Sequence, residues 1–148
     1  MRVQVPVKKL REDARLPFSG SGSAAGYDLY ACSGNGQVEI LPHRSVLIGT
    51  GLSFAIPEGW FGAVFARSGL AAKEGLRPAN CVGVVDSDYR GEVMVALHND
   101  TDDRKVVSDG ERIAQLVVMP YLPVTFTEVL MLEETQRGAG GFGHTGKS

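Results

Sequence analysis

The chain has 148 residues, enough for one domain that buries roughly two-thirds of its unfolded surface. Hydrophobic content of 43% and charged content of 22% are ordinary for a globular protein, and a net charge of -2 offers no basic field for wrapping nucleic acid. No run approaches the ~18 apolar residues of a membrane span, and the charged stretch Met1 to Asp13 lacks a signal-peptide core, so a cytoplasmic location with no membrane partner is expected.

Nineteen glycines and seven prolines predict many turns and few long helices. Val3, Val5 and Val7 alternate with other residues around Pro6, which predicts an edge strand. Arg15 to Ser23 reads as a loop, and Ala24 to Tyr30 as a strand with Gly26 near its start. Asp28 sits in apolar company, where an unpaired carboxylate is costly. It is predicted either to bond backbone or to face a cation. Gln37 to Ile40 and Ser45 to Phe54 read as two strands, and Trp60 to Ala66 as a further one after the turn at Pro57-Glu58-Gly59. His43 is predicted exposed and His98 solvated or hydrogen-bonded; the three histidines share no metal-ligand spacing. Cys32 and Cys81 lie in apolar-looking runs and are predicted to be two buried thiols rather than a disulfide.

Ala66 to Gly75 is the one convincing helical segment, about two turns, with Ser68 as N-cap and Gly75 as the C-terminal stop. A helix start with a hydroxyl and free N–H groups, preceded by Arg67, can hold an anion. A capped connecting helix with a surface arginine accounts for the same residues. Asn80 leads into Gly83-Val-Val-Asp-Ser-Asp-Tyr-Arg-Gly-Glu-Val93. Val82, Val84 and Val85 make one β-branched run; Val93, Val95 and Leu97 alternate in the next. Asp86, Ser87, Asp88 and Gly91 favour a turn between them, so a β-hairpin is predicted whose loop carries Asp86, Asp88, Tyr89 and Arg90. Asp100 to Arg104 reads as a solvated turn. Glu111 to Met119 is a strand, and Gln115 within it is a buried amide that requires a partner. Thr125 to Leu132 closes the folded part, as strand or irregular structure.

Arg137 to Ser148 is too glycine-rich to hold a shape alone. It contains formal matches to the dinucleotide fingerprint (Gly138, Gly140, Gly143) and to the P-loop (Gly141, Gly146, Lys147, Ser148). Both need a preceding strand and a following helix, and neither is expected here. A glycine arm with one arginine and one ring can still fold over a nucleotide. About eight to ten short strands with one short helix imply an all-β sandwich or barrel. No internal repeat or dividing linker is visible.

Five segments in this order resemble the five motifs of the trimeric deoxyuridine triphosphatase (dUTP nucleotidohydrolase) family. They are Ala25-Gly26-Tyr27-Asp28-Leu29, Arg67-Ser68-Gly69-Leu70, Gly83 to Gly91, Arg112-Ile113-Ala114-Gln115-Leu116, and Arg137 to Gly146. The resemblance spans nearly the whole chain; His144 stands where the family more often has serine. It implies a jelly-roll-like β domain over residues 1–136 and a C-terminal arm over 137–148. It also implies a homotrimer with shared sites, and hydrolysis of dUTP to dUMP and pyrophosphate with Mg²⁺. Such an activity limits uracil incorporation into DNA and supplies dUMP for thymidylate synthesis. By motif position, Asp86 would activate water and meet the sugar 3′-hydroxyl, and Tyr89 would lie under the deoxyribose. The uracil edge would fall to the stretch holding Asn80, Gly83, Val85 and Met94. Arg67, Ser68, Gly69 and Gln115 would hold the phosphates, and Asp28 would steady the metal's water shell. Arg137, Phe142 and Gly143 would close the arm over the substrate. The alternatives are a dCTP deaminase, which resembles this family in fold and would release ammonia from dCTP, and a catalytically silent binding or regulatory module. A purely structural β-sandwich would leave the arm and Arg67-Ser68 without a role.

Overall fold

The computed structural model describes residues 3–141. Among them eleven strands alternate with turns and a single helical turn. The strands are β1 (Val7–Lys9), β2 (Tyr27–Tyr30), β3 (Gln37–Ile40), β4 (Ser45–Gly49), β5 (Leu52–Phe54) and β6 (Trp60–Phe65). After the turn come β7 (Leu76–Pro78), β8 (Gly83–Val85), β9 (Met94–Asn99), β10 (Lys105–Ser108) and β11 (Arg112–Pro120). The all-β expectation holds. A four-stranded sheet runs β2-β11-β6-β8 and a three-stranded sheet runs β4-β9-β7; the pairs β1-β5 and β10-β3 complete the set. All registered pairs are antiparallel.

All four sheets turn one face inward. Leu29 and Leu116 from one sheet meet Ile48, Val95 and Leu97 from another, with Ile40, Leu52 and Val107 from the pairs, in one cluster. Leu29, Ile40, Leu52 and Leu97 are wholly buried. Each such side chain contributes roughly 1.5–3 kcal/mol on burial. The period-two alternation around Val93, Val95 and Leu97 is this inward face.

The expected hairpin across Gly83 to Val93 does not form. β8 pairs with β6, whereas β9 pairs with β4 and β7. The intervening segment crosses from one sheet to the other. Turn chemistry fixes that the chain bends; which strand lies next is fixed by covering a shared core. Likewise Ser45 to Phe54 is two strands, not one. The chain bends at Gly51, with φ 69°, and Thr50 turns its hydroxyl to the Val93 carbonyl at 2.6 Å. The short β7 and β10 carry too little local signal to be seen in the sequence.

The helical segment is shorter than expected, a π-type turn over Leu70–Glu74. Gly69, not Ser68, is its N-cap, and no side chain caps it; Gly75 does end it in the left-handed region, with φ 65°. Both cysteines are free, but Cys81 is exposed and only Cys32 is buried. The Asp100 to Arg104 loop is more than a solvated turn. Buried Asn99 donates to the carbonyls of Ile40 at 3.1 Å and Asp103 at 2.7 Å, and accepts from Thr101 N–H at 2.9 Å. A buried amide satisfied on both sides fixes the loop. His43 is exposed beside Asp102, and His98 bonds Ser45 Oγ at 2.9 Å, as expected. Beyond Pro120 no strand forms among the described residues, so Thr125 to Leu132 is irregular.

Candidate active site

Two groups of polar side chains stand out on the four-stranded sheet. The first gathers where β2, β11 and the end of β6 meet. Register places Gln115 opposite both Asp28 and Phe65. Gln115 Nε2 donates to the Ala66 carbonyl at 2.8 Å, the partner its apolar setting demanded. Gly26 leaves it room, since a Cβ there would overlap the Gln115 amide oxygen. Asp28 faces cations, one of the two outcomes expected for it. Arg67 Nε donates to Oδ1 at 2.8 Å and Arg112 Nη1 to Oδ2 at 3.1 Å. Arg67 Nη1 also reaches the Arg112 carbonyl at 3.3 Å. One half-buried carboxylate thus sets two guanidinium groups side by side, and the cluster keeps a net positive charge.

Ser68 and Gly69 follow Arg67 and are exposed. The turn after them spans five residues, too short for its dipole to attract an anion strongly. Attraction rests on Arg67 and Arg112 instead. Arg112 carried no assigned role in the sequence, although it opens the fourth motif segment, Arg112 to Leu116.

The second group is the loop after β8. Tyr89 N–H closes onto the Asp86 carbonyl at 3.2 Å. Arg90 Nη1 donates to the carbonyls of Ser87 at 2.6 Å and Tyr89 at 3.0 Å, and Ser53 Oγ donates to the Arg90 carbonyl at 2.7 Å. The loop is therefore tied to itself and to β5. Asp86 is exposed. It lines an open concavity of about 880 Å³ with Val84, Ile56, Phe61, Tyr121 and Arg90. Asn80 lies beside Gly83, where a Cβ would come within 3.2 Å of its Nδ2. Val85 pairs with Gly62 on β6. Met94 opens β9 in the other sheet and is exposed.

The two groups do not meet within one chain. Asp86 follows Val85, which lies opposite Gly62; Gln115 lies opposite Phe65. Three residue steps along β6 are roughly 10 Å, and two strand spacings add roughly 10 Å across. Arg67, Ser68 and Gly69 lie further off again, beyond the end of β6. Arg137 is exposed, and among the described residues its side chain donates to the Gly140 carbonyl of its own turn at 2.8 Å. Phe142, Gly143 and His144 lie outside the described residues.

The chain between Tyr121 and Met131 leaves Leu122, Phe126, Leu130 and Met131 at least 86% exposed. That much apolar surface on one segment marks a surface made for contact. No described helix is long and apolar enough to cross a membrane.

Residues 12–146 match the family model described as dUTPase. The chain is 46% identical over 140 residues to a deoxyuridine 5′-triphosphate nucleotidohydrolase of Hydrogenobaculum sp. (strain Y04AAS1), covering 95% of this chain and 96% of the relative. It is 48% identical over 149 residues to the protein of that name from Desulfitobacterium hafniense (strain DSM 10664 / DCB-2), covering 99% and 98%. Among solved structures, the Staphylococcus bacteriophage 80alpha dUTPase G164S mutant with dUpNHpp superposes with a TM-score of 0.83 at 28% identity, over 97% of this chain and 98% of that one.

Proposed function

The chain belongs to the dUTPase family and hydrolyses dUTP to dUMP, and from that premise we propose that its active site is completed only between chains. The observation that supports this is the separation of the Asp86 loop from the Arg67–Gln115 cluster along the sheet. In a three-fold assembly the loop of one copy faces the cluster of the next. The exposed apolar segment after Pro120 gives a third copy the means to dock and to bring residues 137–148 over the substrate. Residues 1–136 are then the β domain and 137–148 its arm.

In the composed site, Asp86 takes a proton from water as the oxygen attacks the α-phosphorus. The bond to the bridging oxygen breaks, and pyrophosphate leaves. Arg67, Ser68, Gly69 and Gln115 hold the phosphate chain, with Arg112 keeping Arg67 in place through Asp28. Tyr89 supports the deoxyribose, and Asn80, Gly83, Val85 and Met94 border the uracil. Arg137 engages the terminal phosphate; Phe142 and Gly143 belong to the arm's cover.

Among the described residues no three acidic, histidine or cysteine side chains converge on one point, and Asp28 already serves two arginines. That donor set fits a Mg²⁺ that would arrive with the triphosphate and keep its own waters, which Asp28 would steady. Bound there, the ion would offset charge on the phosphate oxygens.

Asp86→Asn tests the base. It should preserve the fold and lower pyrophosphate release by ~10²–10⁴; wild-type turnover would place the base elsewhere.

A further inference from the structure

Tyr89 is 45% exposed, yet its ring is not free. Its hydroxyl donates to the Glu92 carbonyl at 2.9 Å. The ring end lies directly over Gly91, where a Cβ would come 2.6 Å from Cζ and 2.9 Å from Cε2. The phenol is folded back over the two residues that follow its own turn.

Glu92 is in turn fastened beneath. Its Oε1 accepts from Gly51 N–H at 2.8 Å and pairs with Arg11. Arg11 Nη2 also donates to the Cys32 carbonyl at 2.6 Å, and Arg11 Nε approaches Cys32 Sγ at 3.4 Å. Gly49 leaves the space for this pair, since a Cβ there would lie 2.7 Å from Arg11 Nη2. The next residue, buried Val93, donates to the Leu52 carbonyl at 2.8 Å. The carbonyl that receives the phenol is therefore held to the core from both sides.

We propose that Gly91 and the Arg11–Glu92 pair are positioning residues that fix the tilt of the Tyr89 ring, and through it the choice of deoxyribose over ribose. The proposal rests on Tyr89 being the platform under the sugar. A ribose differs by one oxygen, so the platform excludes it only while the ring cannot give way. A displacement of about 1 Å at such a contact changes rates by up to ~10². At position 91 any side chain must push the ring aside. At position 92 loss of the charge weakens the Arg11 pair, one of the two ties on the residue whose carbonyl anchors the ring.

The experiment compares kcat/KM for dUTP and UTP in the full chain carrying Gly91→Ala, Glu92→Gln, Tyr89→Phe or Tyr89→Ala. Gly91→Ala and Glu92→Gln should each lower the dUTP:UTP ratio about tenfold, and Tyr89→Phe, which loses one hydrogen bond of about 1 kcal/mol, about fivefold. A change confined to stability would lower both substrates together and leave the ratio alone. If Tyr89→Ala collapses the ratio while Gly91→Ala and Glu92→Gln preserve it, the positioning role is refuted. If Tyr89→Ala preserves the ratio, the platform itself is refuted and the positioning role goes with it. Gly91 lies in an exposed loop and the group displaced is a half-exposed side chain, so Gly91→Ala should still fold, with only a small fall in Tm, and keeps the test open should Glu92→Gln fail to fold.

Discussion

Two defective chains should repair one another. Asp86→Ala removes the proposed base from the loop after β8; Arg67→Ala removes a proposed phosphate contact from the far end of β6. Register separates Val85, the residue before Asp86, from Gln115 by roughly 14 Å within one chain, and Asp86 and Arg67 lie further out at opposite ends, so neither group can serve the other locally. The Arg67 substitution breaks one partly exposed ion pair and leaves Asp28 bonded to Arg112, a cost of about 1 kcal/mol that the fold should tolerate. Each homogeneous variant should be nearly inactive. When the two are denatured together, mixed in equal amounts and refolded, each site draws its base from one chain and its clamp from another. With random assembly both are intact at about one site in four, so roughly a quarter of wild-type pyrophosphate release should return. The control is the same variants refolded apart and then mixed. If native mass spectrometry shows mixed oligomers and activity stays at the level of the parents, the two groups do not share a site across chains.

Gly26→Ala should drive the Gln115 amide off the Ala66 carbonyl, costing about 1 kcal/mol of stability and raising KM for dUTP. An unchanged KM would show that Gln115 is not held where the substrate needs it. Asp109 accepts N–H bonds from Ser33 at 2.7 Å, Gly34 at 3.1 Å and Gly36 at 3.1 Å. Burial pushes its carboxyl up, but these bonds outweigh burial and hold it below the usual carboxylate range. The stability they supply is present above about pH 4 and is lost as pH falls through the depressed folded value. Asp109→Asn should therefore lower Tm by roughly 3 °C at pH 7, for a loss of about 1 kcal/mol after solvent screening. The gap should close in acid; a gap that persists at the lowest pH would refute the assignment. Burial pushes the Cys32 thiol up, whereas Cys81 is exposed. A thiol reagent at pH 8 should label Cys81 in the native protein and reach Cys32 only on unfolding, as peptide mapping would show.

Alternation such as Val93, Val95, Leu97 and the spacing of Gly and Pro were enough to give an all-β chain, because strand periodicity and turn chemistry act over a few residues. The motif segments were recognised through their resemblance to a family pattern, not through periodicity. Even the partner of Gln115 was foreseeable as a requirement, since a buried amide cannot go unbonded. What was not legible was which strand lies beside which. The run before Asp86 and the run after it look like two arms of a hairpin, yet they enter different sheets. Pairing is settled by closing one core among many strands, a condition spread over the whole chain. The same condition sets Asp28 between Arg67 and Arg112, folds Tyr89 over Gly91, and holds Asp86 away from the Arg67 cluster. Local residues determined what chemistry was available; only the packing of distant segments decided which groups could meet in one chain.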